Sequence, residues 1–163
     1  MTRKPGHNKI NAGIDVAAVL SGVFYGTSMF AVGFPMGAIR TLAIEPLLGD
    51  ELEAVLLEIP IMLLFCWQLS KQALMIWHIL NACAGLFWDS YHTHTTTIFT
   101  ISFGTLLLWE MVLSVVIFHK SLDETRHDLG TAKGAFGLAA QLLACSFPMI
   151  QEVALERHML KDT

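Results

Sequence analysis

The sequence predicts an all-α integral membrane protein, a bundle of four transmembrane helices forming a single domain over residues 1–163. Three observations predict it. Hydrophobic residues make up 54% of the chain and charged residues only 15%, outside the norms of soluble domains. Val16 to Ile39 supplies 24 residues without a charge, more than the roughly 20 a helix needs to cross a hydrocarbon core about 30 Å thick. Further apolar runs of similar length recur after charged connectors.

The spans are expected at about 16–41, 52–70, 95–118 and 134–151. Before the first, "MTRKPGHNKINAGID" carries basic residues as a signal peptide does. The apolar run behind it is longer than a signal h-region and no A-x-A-like site closes it, so it is expected to be retained. Between the second and third spans lies "QALMIWHILNACAGLFW", apolar but short, with His78 and Asn81 inside it. Lys71 precedes it without a turn signal. It is expected to prolong the second helix into the interface over about 72–92, with Trp77 and Trp88 at headgroup level, rather than to form a fifth span. The connector "HKSLDETRHDLGTAK" separates the third and fourth spans, and Gly130 and Gly134 punctuate the start of the last helix.

Lysines and arginines concentrate on the side of both termini, which the positive-inside rule places in the cytoplasm of a bacterial inner membrane. Net charge is −4 and the isoelectric point about 5.9, with no basic patch, so no nucleic-acid partner is expected. The three cysteines, Cys66, Cys83 and Cys145, sit in apolar surroundings and read as buried thiols rather than a disulfide framework.

The informative residues are the polar ones inside the spans. Gly22, Gly26, Gly33 and Gly37 fall within about 60° of one another on a helix of 3.6 residues per turn, a small-residue face of the kind that packs membrane helices closely. Arg40 lies about five turns beyond Gly22, on the same face. Glu58, Glu110 and Gln141 lie at a similar depth in the other three spans. Charges in a bilayer cost at least about 2.5 kcal/mol each and turn toward the bundle interior to pair. The expectation is a buried cluster with Arg40 between Glu58 and Glu110 and Gln141 completing the hydrogen bonds. Three readings of it stand: a structural device fixing helix register, a proton or ion site, or no cluster, with Arg40 and Glu58 snorkelling separately to the interface. Glu45, Asp50, Glu51 and Glu53 are assigned to a solvated hairpin loop. Pro35 and Pro148 are expected to kink the first and fourth helices, whereas Pro60 reads as a first-turn proline.

The histidines are weaker signals. His92 and His94 in "WDSYHTHTTT" are possible first-row metal ligands with Asp89, but the spacing of a four-ligand site is lacking. An interfacial loop is the simpler reading. His78 is a weak candidate for a haem or pigment ligand, so the cofactor is left unknown. No nucleophile elbow, phosphate-cradling loop or His-Glu-x-x-His pair supports catalysis.

From Gly37 to Trp67 the chain resembles a family of small bacterial four-helix integral membrane proteins of uncharacterised function. Their pattern runs G-x-x-R, a proline–leucine loop with glycine, then A-V-x-x-E-x-P-x-M. Gly37, Arg40, Pro46, Gly49, Glu58, Pro60 and Met62 match it, Glu110 corresponds to a glutamate of the third helix, and "GAFGLAAQLL" resembles the fourth. Glu45 and the apolar insert from Gln72 to Thr95 depart from the pattern. The resemblance implies four helices and supports the cluster; it implies no activity.

Two functional expectations follow. One is an accessory or interaction subunit of a larger membrane assembly, of respiratory or photosynthetic type, whose partners are the lipid bilayer and other membrane subunits or copies of itself. The other is a small oligomeric proton-linked transporter or channel using Arg40, Glu58 and Glu110.

Overall fold

The computed structural model describes residues 15–84, 91–116 and 130–159. Among these residues every regular element is helical. Four helical rods are long and apolar enough to cross a membrane, Val16–Leu48, Leu52–Cys83, His94–Val116 and Gly134–Leu155. The chain is an all-α integral membrane protein.

The first rod begins with α1 (Val16–Ile39). Asp15 caps it, its carboxylate accepting from the Ala18 amide at 3.0 Å. Past Ile39 the backbone widens into a π turn, Arg40–Ile44, and tightens again into the short α2 (Glu45–Leu48). Gly49 ends the rod in the left-handed region at φ 70°, where glycine carries no Cβ penalty. Glu45 is therefore helical rather than part of a solvated loop.

The second rod, α3 (Glu51–Ala84), has 34 residues. At 1.5 Å per residue it is about 50 Å long, well beyond a hydrocarbon core of about 30 Å. Gln72 onward simply continues it. Trp77, expected at headgroup level, is buried at 6% exposure. Its indole N–H donates to Asp15 at 3.0 Å and its ring stacks on His94, so both the polar and the apolar part of the side chain are satisfied within the protein. Trp88 lies outside the described residues. Pro60 stands in the third turn of α3, not the first, because the helix starts at Glu51.

The third rod is α4 (Tyr91–Val116), which places His94 in a helix rather than a loop. The fourth divides into α5 (Ala132–Cys145), capped by the Thr131 hydroxyl on the Gly134 amide, and α6 (Phe147–Met159), with Ser146 between them. Pro148 explains the division. It has no N–H for the Ala144 carbonyl four residues back, and the Tyr25 hydroxyl of α1 supplies a donor there at 2.7 Å. The break in one rod is thus tied to the core of another.

α1 packs against α3 and α4, and α5 with α6 packs against the same two, so the first and fourth rods lie diagonally opposite. Tyr25, Met29, Cys66, Leu106, Cys145 and Phe147 form the central core. Cys66 and Cys145 are buried, as expected for apolar thiols, but Cys83 is exposed near the end of α3, beyond the packed part of the bundle.

The glycine face divides as well. A methyl on Gly22 would sit 2.8 Å from the Ile101 Cβ, and one on Gly26 only 2.5 Å from the Ser102 carbonyl. These two glycines let α1 and α4 touch backbone to backbone. A methyl on Gly33 would reach only the end of the Met62 side chain at 3.2 Å, and one on Gly37 would meet nothing within 4 Å. Gly37, expected to pack, faces open space.

Candidate functional site

That open space is a cavity of about 680 Å³ between all four rods, at the end of the bundle opposite the described start of α1. Met29, Phe30, Phe34, Met62, Leu106 and Leu113 are among the residues of its apolar wall, and Gly33, Gly37 and Gly137 leave room in it. Arg40, Glu58, Glu110 and Gln141 all line it. The four polar residues read from the sequence converge on one chamber.

Within the chamber they form two pairs rather than one cluster. The Arg40 Nη1 donates to Glu58 at 2.8 Å, joining the first rod to α3. The Arg40 Nε donates to Glu45 at 3.1 Å. Glu110 accepts from the Gln141 amide, joining α4 to α5. Arg40 was expected between Glu58 and Glu110; its second carboxylate is Glu45.

The π turn is the physical reason. Five residues along an α-helix turn a side chain about 140° away, which would aim Glu45 off the Arg40 face. A π-helix closes its hydrogen bond over five residues, and the Glu45 N–H indeed bonds the Arg40 carbonyl. The wider turn stacks Glu45 over Arg40. With two carboxylates on its guanidinium, Arg40 has no need of Glu110, and Glu110 is left to a neutral amide.

Such a pair accommodates two protonation states. An ionised Glu110 accepts from the Gln141 amide N–H₂, whereas a protonated Glu110 donates to the Gln141 carbonyl oxygen after the amide turns over. Each state keeps a hydrogen bond. A lone carboxyl in apolar surroundings would not be served in both.

A second polar group closes the other end of the bundle. His94 is buried at 3% exposure. Its Nε2 lies 2.8 Å from Glu152 of α6, and its ring stacks on Trp77 at 3.8 Å between centroids. Asp15 takes the Trp77 N–H and caps α1 at the same time. Four rods meet through four side chains. Glu152 had no part in the sequence reading, although the depth argument applied to Arg40 applies here too: His94 opens the third span where Glu152 closes the fourth.

His94 thus faces a carboxylate and an indole, and no group of three His, Cys, Asp or Glu suited to a metal occurs among the described residues. The His92 side chain and Asp89 lie outside the described residues. His78 is exposed on α3, edge-on to Trp77 at 4.9 Å.

Fold and site define a polytopic helical membrane protein with a chamber between its four rods, lined by Arg40, Glu58, Glu110 and Gln141. Compared with protein-family models, curated proteins and solved structures, the chain matches none.

Proposed function

We propose that this protein is a small proton-linked carrier or channel of a bacterial inner membrane, with its termini cytoplasmic, working through the chamber and the Glu110–Gln141 pair. The observation that carries the reading is the chamber itself. At about 680 Å³ it falls in the range of small-molecule sites, and ionisable residues of three rods face it where a structural ion pair needs no empty volume. An accessory subunit gains from a filled core, because unfilled space forfeits packing. That contrast favours transport over the accessory-subunit reading.

In this scheme Glu110 takes and releases the proton, and Gln141 holds a hydrogen bond to it in each state. Arg40, Glu45 and Glu58 keep the first rod joined to α3 while the chamber fills and empties. Proteoliposomes containing a pH-sensitive dye test the reading. An imposed membrane potential should drive proton entry that Glu110→Gln abolishes and that Leu108→Ala, on the exposed face of α4, leaves intact. Flux no greater than in empty liposomes, beside stoichiometric co-purification with a partner complex, would return the protein to the accessory-subunit class.

A further inference from the structure

The geometry points to a lipophilic monocation, an amine or quaternary ammonium with an apolar body, as the occupant of the chamber. This inference rests on the chamber being a ligand site, and it names the ligand's chemistry from charge and shape.

Charge comes first. Among the described residues, Arg40, Glu58 and Glu110 are the acidic and basic side chains that line the chamber, and Glu45 joins them through Arg40. Among these residues one guanidinium stands against three carboxylates. The guanidinium is taken by Glu45 and Glu58, so an anion entering the chamber would meet an occupied cation. Glu110 is met by an uncharged amide, and in a medium of low dielectric an unmatched carboxylate attracts a cation far more strongly than in water.

The wall excludes a bare metal ion. Hard cations take about six to eight oxygen ligands, and this wall offers mainly carbon: Met29, Phe30, Phe34, Met62, Leu106 and Leu113. A cation that carries its own apolar shell fits both surfaces. Phe30 stacks on Trp109 at 5.6 Å and on Phe34 at 6.1 Å, which holds aromatic faces in place beside the chamber, and such faces attract ammonium groups. Met29 and Met62 supply flexible, polarisable walls that adapt to ligand shape.

Equilibrium dialysis of the purified full chain in nonionic detergent tests this with tetraphenylphosphonium and its shape-matched anion, tetraphenylborate. Tetraphenylphosphonium should bind saturably while tetraphenylborate shows only the partition seen with detergent alone. Glu110→Gln should weaken cation binding by about tenfold or more, the scale of losing a desolvated charge partner. Gly37→Leu, which grows into open space, should remove binding while circular dichroism reports an unchanged helical fold.

Equal or tighter binding of tetraphenylborate overturns the assignment. So does cation binding that survives both substitutions, or a co-purifying neutral lipid that the cation does not displace. The two proposals fail separately: cation binding without proton flux keeps the ligand class and removes the carrier, whereas proton flux without cation binding does the reverse.

Discussion

The two ends of the bundle use the same kinds of residue to opposite effect. At the closed end Gly22 and Gly26 bring α1 onto α4, and Asp15, Trp77, His94 and Glu152 join all four rods. At the open end Gly33 and Gly37 continue the same helical face, yet nothing comes to meet Gly37 and a chamber of about 680 Å³ remains. Glycine removes a side chain; whether the space becomes a contact or a cavity depends on what the neighbouring rod brings. Here the fourth rod decides it, because Pro148 breaks it and the segment before the break, α5, forms the chamber's far wall through Gly137 and Gln141.

Substitutions at matched positions break or sharpen this contrast. The largest effect is expected at the open end: Arg40→Ala leaves Glu58 without its cation and should cost about 3–5 kcal/mol, as breaking a buried pair does. Thermal unfolding in detergent reads it, and Glu58→Gln in the same chain should recover part of the loss. A single variant as stable as the parent would show that the pair is only a surface contact.

Gly26→Ala comes next. Its methyl would meet the Ser102 carbonyl, and overpacking of this kind costs about 1–3 kcal/mol. Crosslinking yield between cysteines placed on α1 and α4 should fall along with the melting temperature; no change in either would mean that the closed end is looser than its geometry implies.

Tyr25→Phe removes the donor that serves the Ala144 carbonyl behind Pro148 and should cost about 1–3 kcal/mol. Hydrogen exchange around the α5–α6 junction should quicken, and exchange unchanged there would place the support of the break elsewhere.

The smallest effect separates the two ends most cleanly. Gly37→Ala should be neutral or stabilising by up to about 1 kcal/mol, the helix-propensity gain of alanine over glycine, because no atom opposes the new methyl. A loss comparable to that of Gly26→Ala would mean that the chamber is filled.

Much of this was legible in the chain. The apolar runs marked the four rods, since the length of a hydrocarbon core imposes itself directly on composition. The glycine stripe was legible as a face, and the expense of intramembrane charge singled out Arg40, Glu58, Glu110 and Gln141 for the interior. The pairing among them was not legible. Glu45 lies beyond the first apolar run and read as part of a solvated hairpin loop, and only the π turn, which has no signature in local periodicity, carries it back onto Arg40. Trp77 and His94 were read as interfacial and loop residues because the partners that bury them, Asp15 and Glu152, lie far away in sequence.

Sequence by itself determined which segments become rods and which side chains are too polar to face lipid, because both follow from transfer free energies that belong to each residue or short run. Tertiary structure alone decided who pairs with whom and where space remains. Those outcomes depend on the winding of one turn and the breaking of one helix, and on the approach of two backbones, which are properties of several segments at once.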